Sequence, residues 1–255
     1  MKKVIDLSKP VQYNSGDPFY MKVKVKHKPH HKAKWLIRFA LGLPFKLFPK
    51  NFIGWADDYF SMGVHATTHL DAPWHYSETC NGKPAKTIDQ IPLDWGIAPG
   101  IVIDMKHKPE GEAITVEEIK TYLEKNKLKL EPMMIVLIKT GRDQFMGTKK
   151  FPEMGTGMSA KATEWLIDQG IKVMGIDQWG WDVPFQYLVD EAKKTNNSEL
   201  FWEGHLVGQQ KEYCHIEQLT NLDSLPISGF TVIVLPLKII GGSAAPARVV
   251  AVLDE

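Results

Sequence analysis

The sequence lacks any long apolar run. A membrane-spanning helix needs about 20 consecutive apolar residues, and the nearest approach in this chain of 255 residues, 35–41, is interrupted by Arg38. The first six residues also lack the apolar core of a signal peptide. We therefore expect a cytoplasmic protein with no membrane-spanning segment and no membrane partner.

Cysteine is scarce, and neither sign of charge is in excess. Cys80 and Cys214 form neither a CxxC pair nor a disulfide framework, so we expect two reduced thiols. The net charge of +1 gives no reason to expect a nucleic-acid partner. The glycine-rich motifs of nucleotide-binding proteins and the GxSxG motif of serine hydrolases are also missing from the sequence.

Metal-binding side chains are concentrated in residues 65–75. His65, His69 and Asp71 offer two nitrogen donors and one oxygen donor, a set that first-row divalent metals accept. Catalytic zinc sites take three protein ligands and leave a position open for water. His75 follows Asp71 by four residues, where we expect it to move protons rather than bind metal. The segment therefore predicts a metal-dependent hydrolase.

The same segment is not the HExxH helix of zinc proteases. Ala66 occupies the position of the glutamate, and Pro73 would break a helix that began at His65. We predict a loop or irregular strand, on which His69 and Asp71, two residues apart, point to the same side.

Residues 65–75, HATTHLDAPWH, resemble the HxGTHxDxPxH signature of the cyclase family of metal-dependent hydrolases, which includes kynurenine formamidase and isatin hydrolase. The resemblance implies that His65, His69 and Asp71 bind metal and that His75 is the catalytic acid and base. Thr67 stands where the family usually has glycine, and we expect its side chain to narrow the substrate pocket.

The resemblance continues in the second half of the chain. It implies a second metal held by His205 and by Glu217, twelve residues later, with Asp71 bridging the two ions. His215 is the nearest competitor of His205, and we rank it well below. Nitrogen and oxygen donors without thiolate predict zinc or manganese, as one ion or two.

The fold is predicted to be α/β. Strands are predicted at 100–104, 133–140, 173–177, 231–235 and 248–253, and helices at 115–126, 159–170, 187–194 and 199–207. Repeated strand–helix–strand units favour an α/β core. The resemblance implies the swivelling β/β/α type, and we expect one domain over residues 1–255.

Residues 22–50 are unusual, because a lysine- and histidine-rich stretch precedes an amphipathic one at 34–43. We predict a lid over the pocket or a contact between subunits of a homodimer or homotetramer. The covering face would be formed by Trp35, Leu36, Phe39, Phe45 and Phe48. The alternatives are a helix on a membrane surface and adventitious metal binding by His27, His30 and His31.

The predicted function is hydrolysis of a non-peptide C–N bond in a small aromatic or cyclic amide, with metal-activated water and His75 as proton carrier. Aromatic side chains near the motif are the predicted substrate contacts: Tyr59, Phe60, Trp74 and Trp179. A ring amide is favoured over an open-chain formamide. Two alternatives remain, a metal-dependent lyase or dehydratase and a metal-binding protein without turnover.

Overall fold

The structure, a computed structural model, describes residues 2–254, which form a mixed α/β fold. The strands are β1 (Lys2–Asp6), β2 (Lys24–Lys28), β3 (Asp57–Ser61), β4 (His69–Asp71), β5 (Thr79–Cys80), β6 (Lys83–Pro84), β7 (Ile97–Asp104), β8 (Ala113–Ile114), β9 (Ile135–Lys139), β10 (Gly157–Met158), β11 (Val173–Ile176), β12 (Cys214–Glu217), β13 (Phe230–Pro236) and β14 (Ala244–Asp254). The α-helices are α1 (His31–Ala40), α2 (Pro73–Tyr76), α3 (Val116–Lys125), α4 (Lys150–Glu153), α5 (Ala160–Asp168), α6 (Phe185–Thr195) and α7 (Glu203–Leu206).

Seven of these strands close into a barrel. The order is β14-β13-β7-β9-β11-β12-β4, and β4 pairs again with the start of β14. Strands β7, β9, β11 and β12 are parallel, whereas β4, β13 and β14 pair antiparallel with their neighbours. Strand β1 extends the sheet by pairing with the far end of β14. The barrel confirms the predicted α/β class.

Alternating side chains divide the core between the two faces of this sheet, as the two-residue period of a strand requires. One cluster draws residues from all seven barrel strands, including Leu70, Leu137 and Ile216, and fills the interior. The other packs Ile101, Val136 and Met174 on the outer face, beneath α3 and α5. His69 and Asp71 flank Leu70 along β4, so their side chains lie on the outer face.

Most predicted elements are confirmed, including the capping box in which Thr115 and Glu118 begin α3 and the Ser159 cap of α5. The helix predicted at 199–207 is wrong, because the chain breaks at Trp202, where φ is 63°. Asp182 accepts hydrogen bonds from the backbone N–H groups of Gly204 and His205. These bonds cap a new helix, α7, immediately after the break.

The amphipathic helix predicted at 34–43 is present as α1, His31–Ala40. Its aromatic side chains contact one another and the following loop, with Trp35 stacked on Phe39 and edge-on to Phe45. All three are largely exposed, at 53%, 73% and 47%. The lid or subunit-contact role of residues 22–50 stays a prediction. No helix among residues 2–254 has the length and apolarity needed to cross a membrane.

A buried carboxylate, Asp177, joins the end of β11 to the loop after β9. One oxygen accepts hydrogen bonds from the backbone N–H and the hydroxyl of Thr140, and the other accepts one from the Gly141 N–H. Burial raises the pKa of Asp177 to about 7, and the three hydrogen bonds oppose that rise. At pH 8 the group is therefore ionised and its acceptor sites face three donors.

We expect Asp177→Asn to lower the free energy of unfolding at pH 8 by about 2 kcal/mol or more. The amide has one acceptor oxygen, and its NH₂ group would face a buried donor left without a partner. Urea denaturation measures the loss, and the same change at the exposed Asp94 is the control. Equal stability of the two variants would contradict this role for Asp177.

Candidate metal centre

Two paired strands place four metal-binding side chains together. Strands β4 and β12 are antiparallel, with His215 opposite Asp71 and Glu217 opposite His69. Because side chains alternate along a strand, all four project to the same face, while Leu70 and Ile216 point into the barrel. The side chains of His69, Asp71 and His215 have no measurable exposure, and Glu217 is 7% exposed.

Asp71 is at the centre of the cluster, and its two oxygens face different groups. Oδ1 lies 2.9 Å from His65 Nδ1 and 3.1 Å from His69 Nε2. Oδ2 lies 3.0 Å from His215 Nε2 and 4.0 Å from His205 Nε2. Such a carboxylate can bridge two ions, one on each oxygen.

The two oxygens of Glu217 also face different histidines of the cluster. Oε2 lies 3.5 Å from His69 Nε2, and Oε1 lies 3.5 Å from His205 Nε2 and 3.3 Å from His215 Nε2. Oε1 also accepts a hydrogen bond of 2.7 Å from the Trp181 N–H, which holds the carboxylate against the loop between β11 and α6.

Four buried polar atoms of the cluster have no hydrogen-bond partner: His69 Nε2, both oxygens of Asp71 and His215 Nε2. Buried polar atoms are rarely left unpaired in native proteins, except where an ion or a function accounts for them. Gathered around Asp71 as nitrogen and oxygen donors, these atoms fit the binding of divalent metal.

Electrostatics favour a cation at the same point. Burial opposes ionisation of Asp71 and Glu217, but the surrounding imidazoles hold the pKa of each carboxyl below its usual value. Burial likewise opposes a charge on His69, yet Asp71 and Glu217 raise its pKa. Two buried carboxylates thus stabilise positive charge, which a divalent metal supplies.

Hydrogen bonds at the opposite ring nitrogen orient two of the predicted ligands. Nδ1 of His69 donates to the Thr67 carbonyl oxygen at 2.6 Å, and Nδ1 of His205 hydrogen-bonds to Asp182. Each bond leaves Nε2 directed at the centre. Carboxylate or carbonyl partners of this kind are the usual support of metal-binding histidines.

His75 lies at the edge of the cluster on the short helix α2, which begins with Pro73. Its Nε2 is 3.8 Å from Asp71 Oδ2, and its ring centroid is 4.2 Å from that of His65. Burial lowers the pKa of His75 to about 4, so the ring is neutral at pH 7 and free to accept a proton. The geometry also permits a metal held by His65, Asp71 and His75.

A cavity of about 170 Å³ opens beside the cluster. His65, His75, His205 and Glu217 face it, and its apolar wall is formed by Met21, Pro152, Trp179, Val183, Pro184, Phe185 and Trp202. Trp202 is stacked on His205 at 4.3 Å between ring centroids. The cavity is smaller than drug-sized sites of about 300–1,000 Å³ and suits a compact molecule.

Of the predicted substrate contacts, only Trp179 lines this cavity. Tyr59 and Phe60 lie on the exposed strand β3, and Trp74 is 40% exposed on α2. Thr67 is also elsewhere: its hydroxyl donates to the Lys9 carbonyl oxygen, and its side chain lines a separate cavity. Thr67 therefore does not narrow the cavity beside the cluster.

The ranking of His215 well below His205 as a metal ligand stays a prediction. The structure brings His215 to the same two carboxylates as His205, and more closely to Asp71. The signal was present in the sequence, since His215 and Glu217 are two residues apart, as are His69 and Asp71. On a strand this spacing places both side chains on one face.

Comparison with known proteins supplies independent information. The model of the cyclase family, described as putative cyclase, matches residues 5–183. A kynurenine formamidase from Bacillus cytotoxicus is 25% identical over 190 residues, which cover 74% of this chain and 77% of that protein.

Solved structures have the same fold. An isatin hydrolase bound to the product analogue thioisatinate aligns with a TM-score of 0.76 and 20% identity, over 100% of this chain and 93% of that one. Isatin hydrolase A from Ralstonia solanacearum aligns with a TM-score of 0.76 and 23% identity, over 99% of this chain and 92% of that one.

Proposed function

The chain belongs to the cyclase family, and on that premise we propose that it is a metal-dependent hydrolase of a small amide. The observation that carries the proposal is the set of unpartnered buried nitrogen and oxygen donors around Asp71, directly beside a cavity lined by His75. The proposed ligands are those predicted from the sequence: His65, His69, Asp71, His205 and Glu217. The activity named for the kynurenine formamidase relative supports an amide as the bond that is cleaved.

The geometry supports separate roles for the metal and for His75. A divalent ion bound at this centre would polarise the amide carbonyl and lower the pKa of water. His75, neutral at pH 7 and facing the cavity, accepts the proton that water loses as its oxygen attacks the carbonyl carbon. The same ring then donates that proton to the leaving nitrogen as the C–N bond breaks, which yields an amine and a carboxylic acid that loses its proton to water. Proton transfer of this kind contributes about 10²–10⁴-fold.

Other residues orient the reacting groups and limit the access of water to the cavity. Asp182 holds the ring of His205 through Nδ1 and binds the start of α7 through two backbone N–H groups. Trp202 covers one face of the His205 ring. Aromatic and proline side chains make the rest of the wall, so a flat apolar substrate would displace water from the cavity.

The proposed substrate is an aromatic formamide or a ring amide fused to an aromatic system. Trp179, Trp202 and Phe185 give the cavity aromatic surfaces on which such a ring can stack. The small volume favours the compact ring amide. The names of the kynurenine formamidase and isatin hydrolase relatives point to the same two substrate types.

Three finer attributes belong to the proposal. Donors limited to nitrogen and oxygen support zinc or manganese. The exposed aromatic face of α1 supports a homodimer or homotetramer. Cys80 and Cys214 are both free, which supports the reducing cytoplasm as location.

We expect metal-replete protein to hydrolyse isatin, N-formylkynurenine or both, and chelation to abolish turnover until zinc or manganese is restored. The measurement is kcat/KM for each substrate before chelation, after it and after reconstitution. Aliphatic amides of similar size serve as the control. If neither aromatic substrate reacts while an aliphatic amide or ester does, the aromatic-substrate proposal fails and hydrolysis stands.

The same preparation separates hydrolysis from a lyase or dehydratase reaction. When the reaction runs in ¹⁸O-labelled water, hydrolysis places one labelled oxygen in the product carboxylate. A lyase product would carry no label at that position.

A further inference from the structure

We propose that His215 is a direct metal ligand, in the half of the centre formed by Asp71 Oδ2 and Glu217 Oε1. The inference rests on the proposed metal-dependent function and adds a residue that the family signature does not supply. Three observations support it: His215 lies opposite Asp71 on β12, its Nε2 atom has no hydrogen-bond partner, and neighbouring side chains hold its ring in place.

The pairing of β12 with β4 fixes the position of His215. His215 stands opposite Asp71 in the register, and Glu217 is the next residue along β12 on the same face. Nε2 of His215 is 3.0 Å from Asp71 Oδ2 and 3.3 Å from Glu217 Oε1. One donor atom each from Asp71, His205, His215 and Glu217 fall within 4.8 Å of one another, as the ligands of a single ion do.

The Nε2 atom of His215 is buried and unpartnered. Despite its short distance to Asp71, it makes no hydrogen bond of acceptable direction with either carboxylate. A histidine whose only task was to hold Asp71 in place would direct an N–H at one of its oxygens. Instead, Nε2 lies close to an oxygen of each carboxylate, as the nitrogen ligand of an ion shared with both would.

The rest of the ring is held as metal-binding histidines usually are. Nδ1 lies 3.1 Å from the hydroxyl oxygen of Tyr76. The ring is stacked on Trp181 with an interplanar angle of 9° and a centroid distance of 5.1 Å. If Nε2 binds metal, Nδ1 carries the ring proton and donates a hydrogen bond to the hydroxyl oxygen of Tyr76. This hydrogen bond and the stacking restrict the ring to one orientation.

With His215 included, four protein groups surround this half of the centre. Zinc sites closed by four protein ligands are typically structural, whereas a catalytic ion keeps an open position. We therefore assign tight binding of an ion to this half. The half formed by Asp71 Oδ1 with His65 and His69 has fewer protein ligands and would leave coordination positions open for water or substrate.

The test measures metal binding rather than turnover. We expect His215→Phe and His215→Gln to weaken binding of one zinc ion by about 100-fold or more, beyond the 10–100-fold that loss of an outer partner typically costs. Tyr76→Phe, which removes only the outer partner, should weaken it less. The exposed His107 is the control, since His107→Ala should bind zinc like the wild type. Competition with a chromophoric chelator gives the affinities, and elemental analysis gives the number of ions per chain.

A crystal structure of the wild-type protein with zinc, using anomalous scattering, tests the contact without relying on a variant that must fold. An ion about 2.0–2.1 Å from His215 Nε2 supports the proposal. An ion more than 3 Å from Nε2 overturns it, and so does unchanged zinc affinity in both folded variants. If wild-type protein binds no divalent metal, the proposed function fails as well, which distinguishes the two failures.

Discussion

Replacement of Asp71 with alanine is expected to remove all tightly bound metal and reduce turnover to the level of the metal-free protein. The Asp71 carboxylate is fully buried, and its two oxygens face the two halves of the centre separately. Asp71 alone of the predicted ligands has a carboxylate oxygen within 3 Å of a ring nitrogen of both His65 and His215. Its loss would leave the buried imidazoles of His69 and His215 beside Glu217, without the carboxylate that lies nearest to both rings.

Elemental analysis and kcat/KM on the same preparation measure both effects, and circular dichroism checks the fold. Asp71→Asn is the matched variant, because it preserves shape while removing the charge and one acceptor oxygen. We expect it to retain at most weak binding. Asp94→Ala, at an exposed site, should keep metal and activity. Full metal content in folded Asp71→Ala would exclude Asp71 as the shared ligand.

Replacement of His75 with alanine is expected to lower kcat by about 10²–10⁴-fold while metal content stays unchanged. The reason is that His75 lies at the edge of the cavity, 3.8 Å from Asp71 Oδ2, and is neutral at pH 7. Its loss removes a proton carrier and leaves the buried donors in place. Elemental analysis and steady-state kinetics separate the two effects.

Added imidazole offers a second readout for His75. The side chain is partly exposed, at 25%, so a free imidazole can reach the space that alanine vacates. We expect it to restore part of the activity of His75→Ala and to leave His31→Ala unaffected, since His31 is exposed on α1. Loss of metal from His75→Ala would instead identify His75 as a ligand, an arrangement that the distances also permit.

Local sequence patterns were enough to predict the class of the fold, most of its elements and one cluster of donor side chains. Local signals sufficed for α3, because the capping box of Thr115 and Glu118 acts within four residues. They also sufficed for residues 65–75, where the donors are close along the chain and Pro73 excludes the HExxH helix. The family resemblance then related His205 and Glu217 to that segment.

Contacts between distant parts of the chain depend instead on how the strands pair. Pairing of β4 with β12 joins residues more than 140 positions apart and brings His215 to Asp71, a contact that no local pattern specifies. Burial of the same strands leaves His69, Asp71 and His215 with unpartnered polar atoms, which indicate a metal centre. The lining of the cavity was the least predictable feature, because Tyr59, Phe60 and Trp74 lie near the motif along the chain while strand and helix directions turn them away from the cavity. Side-chain direction follows from the backbone of each element, and the packing of those elements fixes which side chains face the site.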